Sequence, residues 1–213
     1  MNSTIIENLS EQVYTQQLDE GVYEATLYPL TVNNGLQSEG SAKVIIEGDK
    51  FIVKTNMRSV ESGIKHFQNI MTRGSCPSFQ DDKNSDTYID INEAMVKTGE
   101  ILIPLDSYIG EQIKGLDYGP IGNSVGEYVY KRSTSLTELM IDLRSPDPDL
   151  TDSIEKLPLG SNLNMSGRAM LVHGVRITEN FPSDIPTINN RKNYEIIPIA
   201  CGILKRVSLQ TKL

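Results

Sequence analysis

Residues 82–93 read DKNSDTYIDINE, with the spacing of an oxygen-rich cation loop. Against the twelve-residue pattern D-x-[DN]-x-[DN]-G-x5-E, Asp82 falls at the first position, Asn84 at the third and Asp86 at the fifth. Tyr88 offers its backbone carbonyl at the seventh, Asp90 stands at the ninth, and Glu93 supplies the two-oxygen carboxylate at the twelfth. Ile89 takes the eighth position, where an apolar residue anchors such a loop. Calcium is a hard cation that takes six to eight oxygens, and this spacing wraps them around one centre. One residue departs from the pattern: Thr87 stands where glycine is usual. That turn needs φ > 0, which strains a β-branched residue by about 1–3 kcal/mol. The expectation is a calcium site weakened by Thr87; the competing reading is a solvated acidic loop.

Little else in the chain can do chemistry. It holds two histidines, His66 and His173, and two cysteines, Cys76 and Cys201. The cysteines have no CxxC or zinc-finger spacing. Their number alone fits one disulfide in an oxidising compartment as well as two buried thiols. No G-x-S-x-G, phosphate loop, dinucleotide fingerprint or HExxH stretch is present. The acidic stretches at 145–155 and 177–184 read as solvated faces, with no spacing of a glycosidase pair.

The elements that must hold these residues are short strands. Val22–Tyr28 alternates with period two and is closed by Pro29. Residues 42–47 and 51–57, joined by Gly48-Asp49, form a hairpin pattern. Further strands are expected at 64–71, 101–105, 127–131, 168–175 and 196–207. A helix is expected over 92–97, and a strand or short helix over 135–143. Many short strands between long irregular loops indicate an all-β sandwich or barrel. Residues 1–19 read as a flexible arm and 20–213 as one domain. In 213 residues, 20 Lys and Arg face 28 Asp and Glu, a net charge of -8. That balance argues against nucleic acid, which needs a basic face. No apolar run is long enough to span a membrane, and the first residues show no signal peptide.

Four stretches in order resemble copper/zinc superoxide dismutase, most closely a bacterial exported branch with an acidic EF-hand-like loop. They are His66-Phe67-Gln68-Asn69-Ile70-Met71, Cys76-Pro77 followed by the 82–93 loop, Pro104-Leu105, and GRAMLVHGV with the later IACGIL. The resemblance implies a Greek-key β-sandwich with long irregular loops and the calcium loop inserted. It implies a disulfide between Cys76 and Cys201, and with it an exported protein (periplasmic, secreted or surface). His173 matches a copper ligand of the family, and His66 a histidine that is structural there.

The departures decide the function expected. The family's H-x-H copper pair falls on Asn69 and Met71, and its anion-guiding arginine on Pro198. One matched ligand cannot cycle copper or steer superoxide, so dismutase activity is not expected. The resemblance then implies a pseudoenzyme that binds calcium and serves a structural or binding role, with a protein or small-molecule partner the sequence does not name. An alternative is a copper-binding protein using His66, Met71 and His173, with Met57 near in sequence, because imidazole and thioether suit Cu(I). Against it stands the reading of the methionines as core fillers and of His173 as a hydrogen-bonded core residue. A third reading is a surface or effector protein that engages a host or envelope partner.

Overall fold

The computed structural model describes residues 20–30, 37–105, 109, 119–144, 157, 161–177, 181–183, 185–186 and 192–207. The proposed arm at 1–19 and the acidic stretch at 145–155 lie outside them. Among the described residues, nine strands form: β1 (Gly21–Pro29), β2 (Glu39–Glu47), β3 (Lys50–Arg58), β4 (Gln68–Met71), β5 (Ile101–Pro104), β6 (Glu127–Ser135), β7 (Ala169–His173), β8 (Pro198–Ile203) and β9 (Lys205–Val207). The α-helices among the described residues are α1 (Ile91–Thr98) and α2 (Leu136–Arg144). The strands run in the order β5-β4-β7-β8-β1-β2-β3-β6, every pair is antiparallel, and β9 also pairs with β1.

β1 is the corner of this sheet. Residues 21–27 pair with β2, whereas Tyr28 and Pro29 pair with Cys201 and Ala200 of β8. Folding there lays β5-β4-β7-β8 over β6-β3-β2-β1, so β4 lies across from β3. The connections from β3 to β4 and from β6 to β7 pass from one layer to the other, which is Greek-key connectivity. The expected all-β Greek-key sandwich is the architecture found.

Alternation in the sequence fills the space between the layers. Phe51, Val53, Thr55 and Met57 of β3 are buried, and their exposed or half-buried neighbours face out. Tyr128 and Tyr130 do the same from β6, and Ile70, Met170 and Val172 close the core from the other layer. β4, β7 and β8 are buried on both faces, because a second apolar cluster covers their outside. It contains Met71, Ile89, Ile91, Ala94, Ala169, Leu171, Ile196 and Cys201, with Cys76 and Met95 packed against it. The acidic loop and α1 are therefore a lid on the outer face of that layer.

Three expected boundaries shift. The strand expected at 64–71 begins only at Gln68. Ahead of it, Lys65 bridges Ile121 and His66 donates its backbone N–H to Pro120, so 64–66 bonds to the 120–122 segment instead of the ladder. The strand expected at 196–207 is two strands. Leu204 donates to Arg168 and accepts from Gly167, and the chain then moves from β7 to pair with β1. β6 continues to Ser135, and the 135–143 stretch is the helix α2.

The start of α2 is capped across the fold. Asp49, in the β2–β3 turn, accepts from Leu136 N–H with its carbonyl and from Thr137 N–H with Oδ1. Its carboxylate also accepts the Ser135 and Thr137 hydroxyls, at 2.7 Å each, and Ser135 Oγ accepts from Glu138 N–H. Three otherwise orphaned helix N–H groups are satisfied in this way. Burial raises the Asp49 pKa, but the Ser135 and Thr137 bonds outweigh it and hold the carboxyl below its usual value. A depressed carboxylate contributes stability above its unfolded pKa and loses it as pH falls through the folded one. Asp49→Ala is expected to destabilise by about 1–2 kcal/mol at neutral pH, with the deficit shrinking toward acid. Urea unfolding at neutral pH and at about pH 3 checks it; an equal deficit at both would remove the ionic part of the argument.

Candidate functional site

The acidic loop is held as a closed turn by its own carboxylates. Asp82 accepts from the N–H groups of Ser85 and Thr87, at 2.7 and 3.0 Å. Asp86 accepts from Tyr88 N–H at 2.7 Å and from the Asn84 amide at 3.0 Å, while Asn84 Oδ1 accepts from Asp86 N–H. Glu93 reaches back across the loop to the N–H groups of Lys83, at 2.6 Å, and Asp90, at 3.0 Å. Asp90 returns the contact by capping Glu93 N–H, so the ninth and twelfth positions form a capping box at the start of α1. Gly99 ends that helix at φ 70°, where a Cβ would meet the Thr72 hydroxyl.

The loop is anchored where the pattern requires. Ile89, at the eighth position, is fully buried in the outer cluster. Tyr88 is buried on the other side of the loop, with its ring edge-on to Phe181 at 5.4 Å. Side chains from Asp82, Asn84, Asp86 and Glu93 thus belong to one turn, and their oxygens suit a hard cation. As they stand, those carboxylates are bonded to backbone N–H groups. Among the described residues, no three His, Cys, Asp or Glu side chains converge as a preassembled metal cluster.

Thr87 does adopt the conformation expected to strain it, with φ 76°. It is exposed, so its side chain contributes little packing. Thr87→Gly is expected to stabilise the protein by about 1 kcal/mol. Relief of the left-handed strain exceeds the extra freedom glycine gives the unfolded chain. A thermal midpoint that falls in this variant would count against strain at Thr87.

The two histidines meet, and both are enclosed. His66 and His173 are almost fully buried. His173 Nδ1 lies 2.8 Å from the Ile196 carbonyl and Nε2 lies 3.0 Å from Asn69 Nδ2. One neutral tautomer satisfies both, with Nδ1–H donating and Nε2 accepting. The lone pair a metal would need is thereby turned to Asn69. His66 Nδ1 and Nε2 each lie 2.9 Å from a carbonyl oxygen, those of His173 and Glu61, and the ring stacks on Tyr128 at 5.5 Å. A neutral ring can donate to only one of these carbonyls. Burial pushes the His66 pKa down, against the two carbonyls and the Glu61 carboxylate, which raise it. Met71 sits in the outer cluster, and Met57 in the core between the layers, so the structure separates the two methionines.

Cys76 and Cys201 form a disulfide with Cα atoms 5.8 Å apart. It ties the segment leading into the acidic loop to β8, beneath α1. Asn69, which the sequence marks only as a departure from the family's copper pair, is the side-chain partner of His173. Its signal was the polar pair Gln68-Asn69 opening a strand that is buried on both faces.

No family model and no curated protein matches this chain. Among solved structures, the chain is similar to a double mutant of a SOD-like protein from Bacillus subtilis. The two share 18% sequence identity with a TM-score of 0.41, over 85% of this chain and 96% of that one. The architecture rests on the strand order and register given above. No described helix is long and apolar enough to cross a membrane.

Proposed function

We propose that this chain is a superoxide dismutase-like sandwich that has no dismutase activity and binds one calcium ion in the 82–93 loop. Asp82, Asn84, Asp86, Asp90, Glu93 and the Tyr88 carbonyl are its ligands. The observation that carries the reading is Glu93 drawn back across the loop to the N–H groups of Lys83 and Asp90, while Asp82 and Asp86 hold the same turn through its backbone N–H groups. Calcium would replace the N–H contacts of these carboxylates and fix the lid over the outer cluster. Its role is structural, ordering a long excursion that presents a binding surface to a partner outside the cell. The disulfide is compatible with that oxidising location.

The residues around His173 support the reading that the chain has no dismutase activity. Asn69 and Met71 stand at the expected copper-ligand positions, and the His173 ring has both nitrogens engaged. The test is calcium titration of chelator-treated protein by calorimetry, with copper and zinc quantified alongside. One calcium per chain and no superoxide turnover is the expected result. No calcium heat up to millimolar concentration would sink the calcium reading. Stoichiometric copper with turnover would sink the other half.

A further inference from the structure

Among the described residues, three side chains inside the sandwich carry polar atoms without a hydrogen-bond partner: Thr55 Oγ1, both polar atoms of the Gln68 amide, and the Tyr128 hydroxyl. Thr55 is 0% exposed, Gln68 1% and Tyr128 6%. Alternation and register bring them to one place. Thr55 and Tyr128 both face inward from paired strands, one step apart, because Thr55 opposes Tyr130 and Met57 opposes Tyr128. Gln68 shares the face of Ile70, which belongs to the inner core, and β4 lies across from β3. The level along the strands is set by His66, two residues before Gln68, whose ring stacks on Tyr128.

An amide buried with neither its N–H groups nor its oxygen bonded is strongly disfavoured, and so is an orphaned hydroxyl. Such groups call for a guest. The set is chemically complete for one, since the amide offers donors and an acceptor and each hydroxyl offers both. Burial pushes the Tyr128 pKa well up, which keeps the phenol neutral and able to donate. The three groups do not bond one another, and a small polar guest reaching all of them would satisfy them. A water molecule needs two to four polar partners, and these side chains supply that number.

We propose that Thr55, Gln68 and Tyr128 form an internal hydration site that binds ordered water between β3, β4 and β6. The water bridges the two layers at the end of the sandwich closed by His66, and it is part of the folded structure.

Thr55→Val and Tyr128→Phe each remove one hydroxyl and hardly change volume. If water bridges the groups, each lowers the urea midpoint by about 0.5 M, and the double variant departs from the sum, although no hydrogen bond joins the two side chains. If nothing bridges them, each substitution removes an orphaned hydroxyl, so the midpoint holds or rises and the effects add. That second pattern overturns the proposal. So does the absence of any long-lived internal water in oxygen-17 relaxation dispersion of the folded wild type.

Discussion

Replacing Cys76 and Cys201 together by alanine is expected to destabilise the protein by about 5 kcal/mol. The bridge spans 125 residues, and in the chain-entropy model a closed loop of that length restricts the unfolded chain by roughly this amount. Whole domains are stable by only about 5–15 kcal/mol, so the loss is a third of the total or more. A local effect adds to it. Cys201 is 2% exposed within the cluster that seats Ile89, Ile91 and Ala94, and Cys76 lies against the same cluster. Without the bridge, the lid of acidic loop and α1 is expected to open before the rest of the sandwich. Urea unfolding of wild type and double variant measures the first effect, and hydrogen exchange at 91–98 the second. A stability difference under about 1 kcal/mol would mean that the unfolded chain is already as confined without the bridge.

How far the sequence spoke can be judged from the same residues. The β2–β3 hairpin was legible because β-branched residues alternate on both arms of Gly48-Asp49, and the structure pairs Glu47 with Lys50 across that turn. α1 is expected from the sequence over 92–97 and spans Ile91–Thr98, started by a capping box of Asp90 and Glu93, two residues that the sequence marks only as cation ligands. The elements that moved are those fixed by distant partners. Nothing local in IKHF tells that His66 N–H will bond Pro120, nor that the run through Leu204 must leave one ladder for another. α2 was ambiguous for the same reason, since Asp49, far away in sequence, caps it.

The site divides likewise. The acidic loop is a local motif with fixed spacing, and Asp82, Asn84, Asp86 and Glu93 all bond within one turn. The cysteine pair was open on count and became specific only through the family resemblance; the bridge then appears in the structure. The bond from Asn69 to His173 was not legible, because it joins β4 to the end of β7 across a hundred residues of intervening chain. A polar residue in an apolar strand announces that a partner exists without saying which one. Gln68 makes the same announcement, and the internal hydration site is the answer proposed for it.

Glu93→Gln is expected to weaken calcium binding about 100-fold, equivalent to about 2.7 kcal/mol. The twelfth position is the only one that gives the cation two oxygens of a charged group, and an amide offers one neutral oxygen. The fold itself is expected to tolerate the change. The amide oxygen of the variant can still accept from Lys83 or Asp90, and one exposed or half-exposed contact of this kind contributes about 0.5–1.5 kcal/mol. The two effects separate in one experiment. Without calcium, variant and wild type should unfold at nearly the same urea concentration. With calcium at about 100 times its dissociation constant, the wild type should gain about 2.7 kcal/mol and the variant almost nothing. Equal calcium stabilisation of both proteins would place the ion away from Glu93. A variant that unfolds early without calcium would instead make Glu93 a strut of the loop, its hold on Lys83 and Asp90 mattering more than any ion.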